Sequence, residues 1–370
     1  MSSVWLPCGD YHQNYVEDQG WWQSKLIKGK MILLLAIVFI GIPLLSLSPE
    51  GEYWVGVATM VGYTAMGALG VQLLIGFAGL LTLGHAAFIA VGAYTSTMLV
   101  LQFPWPPFIV DWGLAYPISI VVAGIVAGLW SVLFGLPSAK VKGFYLILTT
   151  MGAQFITVDF VLTQYVSQIG GRGQAFSLPP GTIKIGPWVI ESDVQIYYVM
   201  AVLLTLMVIV IANLIRSKPG RAWVAIRDND IAAEALGINI VWYKLLAFFV
   251  AGFMAGVAGA FWVSNTAALS PEHFPWSWSL WLVGVILIGG VGSIQGAVFG
   301  SIFMVVIMEL LQMAVLPIAD YYPQVLMNFS YIKDMAFGLA ICAFLIYEPN
   351  GLAYRWWQAK NYFNLWPFSY

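Results

Sequence analysis

The chain has 370 residues, of which 61% are hydrophobic and 9% charged, with a formal net charge of −2 and a mean hydropathy of +0.85. An ordinary soluble chain carries about a quarter charged residues, so a water-soluble fold is excluded. The weak charge also argues against nucleic acid as a partner, since neutralising phosphates needs a dense Lys/Arg surface.

Residues 1–24 hold Asp10, Glu17 and Asp18, and the first apolar run begins only at Met31. No A-x-A-like site follows that run, so it reads as a retained first span and not as a cleaved signal. Lys25, Lys28 and Lys30, with Trp21 and Trp22, mark its interface. From Tyr53 to Val110 there is no Asp, Glu, Lys or Arg. At roughly 20 residues per crossing, the apolar runs give about ten spans: 31–48, 53–75, 84–102, 114–136, 144–165, 195–215, 244–264, 278–290, 296–316 and 335–347. The eighth and tenth are short, each either a half-span or a span that borrows neighbouring aromatic residues.

With the N-terminus inside, the interior segments collect Lys25, Lys28, Lys30, Lys140, Lys142, Arg216, Lys218, Arg221, Arg227, Lys244, Arg355 and Lys360, whereas the exterior receives Arg172, Lys184 and Lys333. The positive-inside rule therefore predicts both termini in the cytoplasm. Hydrocarbon offers backbone groups no water, so the spans must be helices, broken only where protein or water covers the break. Two breaks are predicted, at Gly76, Gly79 and Gly84 and at Gly289, Gly290, Gly292 and Gly296. Both are expected to be re-entrant or broken segments. Gly124/Gly128, Gly252/Gly256 and Gly292/Gly296/Gly300 have the spacing that lets helices approach closely, and packing within one subunit is the favoured reading.

Polar groups inside the spans are few. His85 is read as bonding a freed backbone carbonyl or, second, as touching a solute; Asp159 and Glu309 are read as structural first and as partners of a solute ammonium second. No spacing of His, Cys, Asp or Glu makes a metal site, and the two cysteines, Cys8 and Cys342, make neither a disulfide framework nor a zinc site. The exterior stretch 166–194, rich in Gly and Pro, is either a docking loop or a plain connection.

The most informative stretch is 216–243. Pro219 and Gly220 are read as stopping the preceding span, Asp228, Asn229 and Asp230 as possible helix N-caps, residues 231–236 as a short helix, and Gly237 as its left-handed cap. Either a re-entry loop along the interface or an element that fits a groove on a cytoplasmic partner satisfies this pattern.

The run G-R-A-W-V-A-I-R-D-N-D-I-A-A-E-A-L-G-I, with L-L-I-G-F-A-G-L-L-T-L-G-H-A-A-F-I-A-V-G-A-Y before it and I-G-G-V-G-S-I-Q-G-A-V-F-G after it, resembles the LivM-type permease family of branched-chain amino acid ABC transporters. The similarity covers roughly residues 55–350. It implies an all-α, polytopic permease domain over 31–348, with a coupling loop at 216–243 between cytoplasmic tails 1–30 and 349–370. It further implies a bacterial inner-membrane importer with a second homologous permease, two cytoplasmic ATPases and a periplasmic binding protein.

By the same resemblance, Ala232, Ala233, Glu234 and Gly237, with Asp228, Asn229 and Asp230, form the contact with the ATPase. Gly76, Gly79, His85, Asp159, Gly289, Gly292 and Glu309 are candidates for the translocation path. The chain has no G-x-x-x-x-G-K-[ST] run, so ATP and its Mg²⁺ belong to partner subunits and no cofactor is expected on this chain. Branched-chain amino acids are the expected solute, urea or a short amide the alternative. An ion-coupled secondary transporter using Asp159, Glu309 and His85 as a relay is the rival from another class, and a membrane enzyme lacks the clustered carboxylates or histidines it would need.

Overall fold

The computed structural model describes residues 25–139, 143–166, 176–177, 183–266, 268–319 and 328–365; Lys140, Lys142, Arg172 and the tail 1–24 lie outside them. Helix α1 runs through Lys25–Ala36, a π-helical stretch Ile37–Gly41 and Ile42–Leu45. Ser48 accepts from the Gly51 amide at 3.2 Å and starts α2, Pro49–Val71, which continues as the π-helix Gln72–Phe77. Glu50 and Glu52 in its first turn suit the positive end of the helix dipole. There follow α3 (His85–Leu101), α4 (Pro107–Asp111), α5 (Ala115–Ala139) and α6, Phe144–Phe155 passing into the π-helix Ile156–Val166.

Three strands of two residues, β1 (Phe176–Ser177), β2 (Lys184–Ile185) and β3 (Trp188–Val189), precede α7 (Asp193–Arg216). The chain then forms α8 (Lys218–Asp228), α9 (Asp230–Ala235) and α10 (Ile240–Thr266). Strand β4 (Ala268–Leu269) and a 3₁₀ turn at Pro271–His273 lead to α11 (Trp276–Gly289), α12 (Ile294–Ala319), α13 (Phe329–Tyr347) and α14 (Gly351–Leu365). β1 pairs antiparallel with β4, and β2 with β3. The exterior stretch read as either a docking loop or a plain connection is thus tied in part to the segment before α11.

Among the described residues, seven helices are long and apolar enough to cross a membrane. Two further predicted runs fall on the shorter apolar helices Gly29–Leu45 and His85–Leu101. The eighth run becomes the 14-residue α11, about 21 Å long and shorter than the roughly 30 Å hydrocarbon layer. The tenth reaches 19 residues by taking in Phe329 and Tyr331.

Helix α10 forms the centre, packed against α2, α3 and α5. Small residues let these axes approach: a methyl placed on Gly256 would lie 2.6 Å from both the Ala123 carbonyl oxygen and the Ala127 Cβ of α5. Gly124 and Gly128 receive Phe253 and Phe249 of α10 in return, and Gly296 and Gly300 of α12 pack on Gly289 and Val285 of α11. The spaced glycines thus pack helices within one chain. Ser131 of α5 adds a hydrogen bond of 2.6 Å to the Phe248 carbonyl of α10. The outermost helices bury little: α13 has no buried residue and α1 only Pro43 among its described side chains, so their apolar sides face outward, as lipid requires.

Replacing Gly256 by valine should overpack this junction and lower stability by about 1–3 kcal/mol, read as a lower unfolding temperature in detergent. Gly338→Ala in α13, where the space around the new methyl is open, should leave the temperature unchanged or raise it slightly.

Candidate functional site

One end of the bundle gathers α8, α9, both glycine-rich turns and the start of α14. Pro219 sits in the first turn of α8, where its missing N–H costs nothing. The Pro-Gly pair that was expected only to stop α7 therefore starts a further helix. Arg221 closes the end of α7 by donating to the Arg216 carbonyl at 3.0 Å. Trp223 is completely buried and its indole N–H donates to the Tyr243 carbonyl at 2.7 Å. This bond fixes α8 to the first turn of α10.

Helix α9 is capped at both ends. Asn229 accepts from the Ala232 amide at 3.1 Å, so it alone of the three expected cap residues does that work. Asp228 instead pairs with Arg227 at 3.0 Å, and Asp230 occupies the first turn. At the far end Gly237 has φ +84°. Its amide bonds the Glu234 carbonyl at 2.9 Å, and the Ile238 amide bonds that of Ala233 at 3.0 Å, the paired bonds of a Schellman motif. Ala233 is the buried residue of α9. Ala232 and Glu234 are exposed, and Ile231 and Leu236 are 74% and 82% exposed. A short rigid helix thus presents two aliphatic side chains outward.

Arg227 links this helix to the glycine-rich turns. Its Nη1 donates to the Gly76 carbonyl at 2.7 Å, and Gly79 lies against its aliphatic stem. Gly76 in turn meets the second turn, where a Cβ on it would lie 2.6 Å from the Gly292 nitrogen. Gln72, wholly buried in the π-helical end of α2, donates to the carbonyls of Gly290 and Ser293 at 3.1 and 2.8 Å. The two turns, distant from each other along the chain, form one hydrogen-bonded unit against the end of α8.

The sequence profile of the family described as "Branched-chain amino acid transport system / permease component" matches residues 53–330. The chain belongs to this permease family. It is 27% identical over 350 residues to the high-affinity branched-chain amino acid transport system permease protein LivM of Salmonella typhimurium, with 89% of this chain and 76% of that protein covered. LivM of Escherichia coli gives the same identity and coverage. LivH of Escherichia coli is 24% identical over 308 residues, covering 79% of this chain and 91% of its own. No solved structure matches. The chain is thus a multi-pass transport subunit and not an enzyme.

In this permease Gly289 belongs to the second glycine-rich turn, and His85, Asp159 and Glu309 lie outside the hydrogen bonds that join the two turns. His85 is wholly buried, with its ring against Gly70 and edge-on to Phe88 at 6.0 Å. The Gly67 carbonyl lies beside the ring, but neither ring nitrogen reaches hydrogen-bond geometry. The expected bond to a freed carbonyl is absent. Glu309 accepts from Tyr53 of α2 at 2.6 Å, the helix-to-helix role given first place above. Asp159 is exposed on the π-helical half of α6, and Gly289 packs on Gly296. No hydrogen bond among the described residues joins His85, Asp159 and Glu309 to one another.

The freed amides at the start of α3 are met by side chains from other helices. Thr150 accepts from Leu83 at 3.1 Å, Ser279 from Ala86 at 2.9 Å and Gln154 from Ala87 at 2.7 Å. Gln154 also donates to the Phe274 carbonyl at 2.9 Å, so α3 and α11 both begin level with the middle of α6. Sequence reasoning did not single out Gln72, Gln154 or Trp223, and it counted Arg227 only among the interior cations. Amides inside otherwise apolar spans are the signal that finds the two glutamines, because breaks in hydrocarbon need partners.

Gln72→Leu should leave the buried Gly290 carbonyl without its side-chain donor, whereas the Ser293 carbonyl keeps the Gly296 amide, and should destabilise the subunit by about 1–3 kcal/mol. A thermal unfolding scan of purified protein should register the drop.

Proposed function

We propose that this chain is one of two permease subunits of an ATP-driven importer in the bacterial inner membrane, with α9 as the element that docks on a cytoplasmic ATPase. The observation that carries the reading is the exposure of Ile231 and Leu236 on a helix capped at both ends. Apolar side chains held rigidly outside a membrane bundle are what a partner's groove buries. Family membership supports the assignment, and relatives named LivM and LivH support a second, homologous permease beside this one.

In this reading the α9 end is cytoplasmic, which agrees with the cations Arg216, Lys218, Arg221, Arg227 and Arg355 collected there and with Lys184 and Lys333 at the other end. About ten helical segments then cross or enter the membrane, and both termini are cytoplasmic. A periplasmic binding protein delivers the solute, a branched-chain amino acid on the strength of the relatives' names. Nucleotide is bound and hydrolysed by the partner subunits. Closure of the ATPase pair displaces α9, and the displacement reaches the glycine-rich turns through Arg227 and the Gly76 carbonyl.

In vesicles containing the complete transporter, Leu236→Asp or Gly237→Val should lower leucine uptake by tenfold or more while ATP hydrolysis continues. The valine at φ +84° adds about 1–2 kcal/mol of backbone strain. Normal uptake in both variants would remove α9 as the contact. Urea or a short amide competing with labelled leucine as well as isoleucine does would overturn the solute assignment.

A further inference from the structure

An open groove of about 680 Å³ lies between α12 and α14, within the range of roughly 300–1,000 Å³ typical of small-molecule sites. Phe303, Val306 and Leu310 of α12 form one wall, Leu352 and Trp356 of α14 the other, and Arg355 is the charged residue of the lining. The edge-to-face contact of Phe299 with Trp356, centroids 5.8 Å apart, marks one end of the groove. From Phe299 to Leu310 the α12 wall is about 16 Å long at 1.5 Å per residue. Half of a hydrocarbon layer about 30 Å thick is nearly the same length. The α12 wall is therefore long enough to reach from the membrane interface to about the bilayer middle.

Its mouth has the chemistry of a lipid headgroup region. α14 follows directly on the last long apolar helix, and its Trp356, Trp357 and Tyr362 are all more than half exposed, the composition of an interfacial belt. Arg355 uses three of its five N–H donors on this chain: Nε and Nη2 bond Glu348, and Nη1 bonds Gln358 at 3.3 Å. Glu348, outside the membrane-spanning segments, is held below its usual carboxylate range by that guanidinium, so the pair keeps Arg355 in position at the groove. Two N–H donors remain, and a planar guanidinium matches a phosphate well. The α12 wall lies within residues 53–330 that match the family profile, and α14 lies beyond them.

We propose that this groove is a phospholipid site, with one acyl chain lying along α12 and the headgroup phosphate bound by Arg355. The inference needs only that the chain is embedded in a bilayer, and it is independent of the transported solute. The apolar lining suits an acyl chain, and the two remaining N–H groups of Arg355, beside the Glu348 carboxylate that pairs with it, are the donors a headgroup phosphate would meet.

The test is native mass spectrometry of the complete transporter released from detergent, titrated with dioleoyl phosphatidylglycerol and, separately, with uncharged dioleoylglycerol. The wild-type chain should retain one phosphatidylglycerol more than Val306→Trp, which fills the groove without touching Arg355. Arg355→Gln should weaken phosphatidylglycerol retention about tenfold and leave dioleoylglycerol retention as it is. Equal lipid numbers on the wild type and Val306→Trp would overturn the site. Equal retention of the two probes by the wild type would overturn the phosphate contact. A disulfide from Ile302→Cys to another subunit would show that protein covers the groove, and would overturn the proposal as well.

Discussion

Hydrocarbon contains no water to bond a peptide group, and every break in a helix inside it frees several such groups. The chain meets this constraint with a small set of side chains placed at the breaks. Gln72 takes two carbonyls of the second glycine-rich turn, and Arg227 takes one from the first. Thr150, Gln154 and Ser279 receive the amides at the start of α3. These contacts set which helices are neighbours, because each joins residues far apart in sequence. The apolar surface around them is interchangeable in kind; the few polar partners are not.

Close approach is the second determinant. Lipid tails are as apolar as leucine, so helices associate through fit and not through exclusion of water. The glycines facing α10 supply that fit, since Gly124 and Gly128 accept Phe253 and Phe249 while Gly256 rests on the α5 backbone. The most buried helix is consequently the one whose neighbours come nearest. Helices at the rim, α1 and α13, carry large apolar residues of which many are exposed among the described residues.

Much of the fold was legible in the sequence because span length and charge asymmetry are set by the bilayer itself. Span positions, the close glycine pairs and the helix ending at Gly237 all follow from local rules. The same rules placed Pro219 and Gly220 at the end of α7, which stops at Arg216, without showing that the pair also begins α8, and they could not choose Asn229 over its acidic neighbours as the cap. The pairing of β1 with β4 and the contact of Gly76 with Gly292 depend on tertiary placement that no local pattern encodes. Gln72 and Gln154 were visible as letters, but their partners were not. At the start of α3 the freed amides are met by Thr150, Ser279 and Gln154, and neither nitrogen of the buried His85 ring reaches hydrogen-bond geometry.

The indole of Trp223 gives the bond to Tyr243 a mechanical meaning. It fastens α8 to the first turn of the central helix, so the short arm that carries α9 is seated on α10 through a single indole nitrogen.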